Sequence, residues 1–248
     1  PRWFSRMKGQ AKQTVVFAGP SIHGLDRAPF SAMTFKPPAA AGDVLAAVRS
    51  GARIIGLIDG LYGDCAAVWH KELLYALSRG IIVIGAASMG ALRAVECEMF
   101  GMLGLGQVFE QYRLGTRVSD ADVALSHGPA ELDFCPLTVS LVDAEATIEG
   151  LRDTLDQTQC QRLIAAARSV HFSRRTWKAV VALAGYDADI ASTCARNMVS
   201  VKKADALLLL QMVQDGGMPG AAPPEWTFQE TVFFRNLLAC QEPGDETA

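Results

Sequence analysis

The 248-residue sequence predicts a three-layer α/β fold: a mainly parallel sheet core followed by a helical C-terminal part. Three observations carry this. Short apolar runs at 14–18, 53–58 and 81–84 are separated by helix-forming stretches, an alternation that builds a sheet with right-handed helical crossovers. The runs are apolar almost throughout instead of every second residue, which means burial on both faces and hence parallel pairing. Beyond Asp143 the pattern is almost wholly helical.

Taken in order, residues 14–18 (TVVFA) end in Gly19-Pro20-Ser21, a turn signal. A loop containing Pro29, Pro37 and Pro38 follows. Asp43 starts an amphipathic stretch over 44–50 that Gly51 stops. The second run, 53–58 (RIIGLI), closes on Asp59-Gly60. Asp64 is placed to cap a helix over 65–79, and Gly80 sits where a left-handed C-terminal cap belongs. The third run leads through Gly85-Ala86-Ala87-Ser88 into a helix that ends near Phe100. Residues 101–134 are glycine-rich and mixed in polarity, with a short helix around 108–114. Helices are then expected over 144–155, 157–170, 174–184 and 200–215, a Gly/Pro-rich connector over 215–224, and a last amphipathic helix over 226–240. The organisation is an α/β core over 1–140 that carries the candidate site, with a helical region over 141–248 docked on it.

Composition excludes several classes. A net charge of −3 lacks the basic footprint that neutralises phosphates, so no nucleic-acid partner is expected. The densest apolar stretch, 81–87, is broken by Gly85 and far too short for a bilayer span. Pro1 to Ser5 lack a signal peptide's apolar region, and a cytoplasmic protein without membrane contact is expected. The six cysteines (Cys65, Cys97, Cys135, Cys160, Cys194, Cys240) form no Cys-x-x-Cys pair and read as free thiols. The four histidines supply no His-x-x-x-His, so neither a metal nor a cofactor is expected.

Function in such sheets gathers beyond the carboxyl ends of the strands. There the loops holding Ser21, Asp59 and Ser88-Met89 converge. Ser88 follows a buried strand and a small-residue turn and opens a helix, the layout of a nucleophile elbow, although Gly-x-Ser-x-Gly is incomplete. At that helix start the Met89 N–H is a natural oxyanion donor. A plain helix N-cap is the competing role for Ser88. A phosphate cradle lacks both Gly-Lys-Ser/Thr and Gly-x-Gly-x-x-Gly.

The bases are few. Lys71 lies opposite the apolar stripe of its helix, on a face shared with Ala67, Leu74 and Ser78. It is either a solvated lysine or, since that face is unusually apolar and the chain has only seven lysines, a desolvated base. His70 is a rival base or a half-buried helix histidine. His127 is a loop histidine that can approach the site. Asp59 orients a base or makes the Asp-Gly turn. Arg93 pairs with Glu96 at i,i+3 or binds a carboxylate.

Several uncommon words stand in order: Gly19-Pro20-Ser21, Ile58-Asp59-Gly60, Val68-Trp69-His70-Lys71-Glu72, Ser88-Met89-Gly90-Ala91-Leu92-Arg93-Ala94, and Gly101-Met102 with Gly104-Leu105-Gly106. Over roughly residues 14–140 the chain resembles the TfuA family. The resemblance implies an accessory hydrolase that works beside a YcaO enzyme in thioamidation of a peptide backbone. It would release sulfide from a thiocarboxylated ThiS-like sulfur-carrier protein and help YcaO engage the peptide substrate. It implies a Ser–Lys catalytic pair, which motif matching assigns to Ser88 and Lys71. The alternative is a non-catalytic adaptor that recruits the carrier or the peptide to YcaO. The alanine-rich composition points to a peptide natural-product pathway.

Overall fold

The computed structural model describes residues 13–63, 65–217 and 225–240. Five parallel strands form one sheet in the order β2-β1-β3-β4-β5, where β1 is Thr14–Phe17, β2 Thr34–Lys36, β3 Ile54–Leu57, β4 Ile82–Ala86 and β5 Leu103–Leu105. Val15 stands beside Thr34 and Ile55, Ile55 beside Val83, and Ile84 beside Leu103. Every residue of β1 and β3 is buried, as their unbroken apolar runs predict. The two edge strands, β2 and β5, were not among the expected elements. Each has three residues, too few to leave a period in the sequence.

The strands feed two cores on opposite faces. Val15, Phe17, Ile55, Leu57 and Val83 pack against α1 (Asp43–Arg49), α2 (His70–Ser78), α3 (Met89–Cys97) and α4 (Gly106–Arg113). Val16, Ile54, Ile58 and Ile84 pack against α9 (Val201–Asp215) through Ala206, Leu209, Leu210 and Val213. Each such buried leucine contributes about 1.5–3 kcal/mol. The opposite face of the sheet is thus covered by a helix from the C-terminal part. A third cluster, with Ile148, Leu163, Trp177, Val180 and Cys194, joins α5 (Leu141–Gly150), α6 (Gln157–Ser169), α7 (Trp177–Leu183) and α8 (Ala188–Arg196). α8, also absent from the expected elements, is capped by Asp187 through the N–H groups of Asp189 and Ile190. Among the described residues no helix is long and apolar enough to cross a membrane.

Two helix starts differ from expectation. The expected cap, Asp64, lies outside the described residues, and α2 begins only at His70. The chain before it runs beside the entry to α1, with the Ala41 N–H donating to Ala66 O at 2.8 Å and Ala40 bridging Ala67. Glu72, fully buried, sets the start: its carboxylate accepts the N–H groups of Gly42 (2.8 Å), Leu45 (3.3 Å) and Trp69 (3.2 Å). The last helix, α10 (Val232–Cys240), likewise starts late. Trp226 precedes it outside any helix or strand and donates its indole N–H to Phe100 O at 3.0 Å.

Glu72→Ala leaves those three N–H groups without their acceptor and should cost about 2–3 kcal/mol in urea unfolding. Burial raises the Glu72 carboxyl above its ordinary 4.5, although the three N–H bonds oppose this. Its share of the stability is therefore complete below 4.5 and lost as pH rises through the raised value. Glu72→Gln should remove that part of the pH dependence.

Candidate functional site

Strand order 2-1-3-4-5 reverses direction between β1 and β3, and ligand crevices in doubly wound sheets open at that point. Here a cavity of about 100 Å³ is bounded by the loops after β1 (Pro20), β3 (Asp59 to Tyr62) and β4 (Ser88, Met89). Asp120, Val123 and His127 from the α4–α5 connection, Phe172 and Lys202 complete it.

Ser88 is held by an unusual turn. Its N–H donates to Ala86 O at 2.7 Å across Ala87, whose φ is +67°. This is a γ-turn, a strained conformation for a non-glycine residue, costing roughly 1–3 kcal/mol. The turn drops Ser88 at the start of α3, 9% exposed, and its side chain makes no capping bond. The N-cap role is therefore not the one it fills. Nor does the hydroxyl have another hydrogen-bond partner among the described residues. The Ser88 N–H serves Ala86 and the Gly90 N–H serves Ile58 O at 3.2 Å, whereas the Met89 N–H has no acceptor among the described residues. An orphan donor at a helix start next to a free hydroxyl suits a developing oxyanion.

Glycines make the close approach. A Cβ on Gly85 would lie 2.0 Å from Gly90 O, and one on Gly90 only 1.7 Å from Leu57 O. α3 consequently rests on the ends of β3 and β4 with backbone against backbone.

Lys202, in the first turn of α9, reaches the same cavity. Its side chain is 2% exposed, and its Nζ donates to Val123 O at 2.8 Å. It was not among the candidates drawn from the sequence, yet it left a signal there. With Ala206, Leu209 and Val213 it completes one helical stripe, so a lysine falls on an otherwise apolar face. It also occupies a helix's first turn, where a cation opposes the dipole.

Lys71 is elsewhere. Its ammonium donates to Gln229 O at 2.7 Å and lies 5.2 Å from the Phe228 ring centroid. The apolar face that suggested desolvation is covered by the C-terminal segment, in which Phe228 and Phe234 pack on Tyr75. Lys71 takes no part in lining the Ser88 cavity.

The other candidates separate. Asp59 lines the cavity, but its carboxylate is committed to the β1 loop: it accepts Gly19 N–H at 2.8 Å, Ser21 N–H at 3.0 Å and Ser21 hydroxyl at 2.6 Å. It fixes that wall and orients no base, and Ser21 is its partner there. His127 lines the cavity, with Nδ1 2.7 Å from Gly128 O. A carbonyl only accepts, so Nδ1 is the donor in this contact, and Nε2 is the nitrogen that can accept a proton when the ring is neutral. His70 and Arg93 lie outside the cavity. Both bond Glu96, at 2.8 Å and 2.5 Å, and Arg93 also donates to Val68 O at 3.0 Å. Burial opposes ionisation of Glu96, but these two partners outweigh it and hold the carboxyl below its ordinary value. Arg93 does line a groove that adjoins the cavity along Met89 and Leu92.

A serine on a strand–γ-turn–helix elbow, at the switch point of a doubly wound parallel sheet, defines the class of α/β protein to which this chain belongs. A family model described as TfuA-like protein matches residues 59–176 of the chain. The matched segment begins at Asp59, contains Ser88 and Lys71, and ends before α9 and Lys202. No curated protein matches the chain.

Proposed function

We propose that the chain is a hydrolase-like accessory protein that releases sulfide from the thiocarboxylate end of a ThiS-like carrier protein, for YcaO-dependent thioamidation of a peptide. The observation that supports it most is that an uncommitted Ser88 hydroxyl and the buried Lys202 line one small cavity. In this reading Ser88 Oγ attacks the thioacid carbon and Lys202, as the amine, accepts the hydroxyl proton. The Met89 N–H stabilises the oxyanion. The carbon–sulfur bond breaks as Lys202 passes that proton on to the thiocarboxylate sulfur, so that sulfur leaves as HS⁻ and Lys202 is restored. Water then cleaves the acyl-serine, giving the carboxylate and restoring Ser88.

The test is sulfide release from a thiocarboxylated ThiS-like protein. Wild type should turn over, and Lys71→Ala should stay within about threefold of it, as expected for a half-buried lysine that does not line the cavity. Carrier binding without any release would replace this reading with that of an adaptor. The exposed Tyr62 and Val118 beside the cavity and its adjoining groove are apolar contacts such an adaptor would use.

A further inference from the structure

Lys202 is aimed by a neighbouring helix. Asp143, in the first turn of α5, is buried, and its Oδ1 accepts the main-chain N–H of Lys202 at 3.2 Å. Its Oδ2 accepts the Ser200 hydroxyl at 3.4 Å. One turn along α5, the Thr147 hydroxyl accepts the Val199 N–H at 3.0 Å and donates to Asp143 O at 2.7 Å. The first turns of α5 and α9 are thus clipped together by side chains of α5.

The far end of Lys202 depends on α5 as well. Its Nζ is held by Val123 O, and the turn carrying Val123 is tied down by Arg117. That guanidinium bonds Asp122 at 2.8 Å and Glu145 of α5 at 2.6 Å. Asp143 and Lys202 make no direct ion pair among the described residues. Beside the attraction between the two charges, Asp143 acts on Lys202 through this main-chain bond.

We propose that Asp143 is a positioning residue of the Ser88 cavity: by gripping the Lys202 main-chain N–H it fixes the start of α9, and with it the direction in which the lysine enters the cavity. The inference rests on the proposed pairing of Ser88 with Lys202. Asparagine in place of Asp143 keeps an oxygen for that N–H, whereas alanine keeps none. A group displaced by about 1 Å from its working position loses roughly a hundredfold in rate.

Asp143→Ala is expected to lower kcat for sulfide release by about tenfold to a hundredfold per folded molecule, with KM within about twofold. Asp143→Asn should recover most of the loss. A residue that only supported the fold would lower Tm in either variant and leave kcat per folded molecule unchanged, and that result would overturn the proposal. The second readout needs no turnover and uses Asp143→Asn, the variant that keeps the acceptor, in case the alanine variant does not fold. The carbon-13 resonance of the Lys202 ε-methylene, assigned by its loss in Lys202→Met, is followed in wild type and both Asp143 variants. It should move strongly in Asp143→Ala if that variant folds, and measurably less in Asp143→Asn. A resonance that stays put in folded Asp143→Ala, or one that moves strongly in Asp143→Asn, sinks the positioning role alone, whereas a wild type that releases no sulfide sinks the hydrolase reading.

Discussion

Ser88→Ala is expected to lower sulfide release by at least about a thousandfold, and Lys202→Met by about a hundredfold to ten-thousandfold. Alanine removes the attacking oxygen from the start of α3, beside the Met89 N–H. The Met89 N–H survives, so a residual rate above buffer should remain, as it does when one member of a catalytic pair is removed and the oxyanion site is left. Methionine preserves the length of the Lys202 stem and removes only the amine, leaving Val123 O without its donor at a cost of about 1–3 kcal/mol. Rates must therefore be expressed per folded molecule. A full rate in Ser88→Ala would end the hydrolase reading. A rate that survived Lys202→Met but vanished in His127→Ala would transfer the base to the imidazole, whose Nε2 lone pair is the alternative acceptor in the cavity.

The contrast between Ser88 and Lys202 marks what a sequence can disclose. Ser88 is specified locally: a buried strand, three small residues and a helix lie within one continuous stretch, and the elbow follows from their order. Even so, the strain falls on Ala87, the neighbour, which no residue pattern indicates. Lys202 is specified by topology. Its helix follows the Ser88 elbow by more than a hundred residues and reaches the cavity only because α9 covers the second face of the sheet. Gly56 marks that docking, since a Cβ there would meet Leu209 at 2.9 Å. Lys71 shows the reverse case: its apolar surroundings are legible in the helix pattern, but what covers them is a segment from the other end of the chain. Asp59 and Ser21 were legible as neighbours of the site because both end or follow strands. That they bond each other, with no reacting group between them, depends on the register of β1 against β3.

The larger effect on the fold is expected from a single methyl group. Gly90→Ala should destabilise the protein by about 3 kcal/mol or more, at or above the top of the range for overpacked cores. Two effects oppose each other at this position. Alanine is the better helix former, worth about 1 kcal/mol in an exposed helix interior. Its Cβ, however, would lie 1.7 Å from Leu57 O and 2.6 Å from Leu57 C, main-chain atoms of β3 at the centre of the sheet. Those atoms cannot swing aside as a flexible side chain can, so α3 must lift. Lifting α3 breaks the bond from Gly90 N–H to Ile58 O and opens the contact at Gly85, whose own Cβ position is 2.0 Å from Gly90 O. Gly150, at the end of α5, is the control. A Cβ there meets only a Val199 methyl carbon at 3.6 Å, an ordinary contact, so Gly150→Ala should be neutral or stabilising by up to about 1 kcal/mol. Urea unfolding should then show the midpoint falling for Gly90→Ala and holding or rising for Gly150→Ala, with similar slopes. Equal midpoints for the two variants would mean that α3 can move off the sheet at little cost. The backbone contact could not then be what fixes Ser88 and the Met89 N–H, and the strained turn at Ala87 would have to hold them alone.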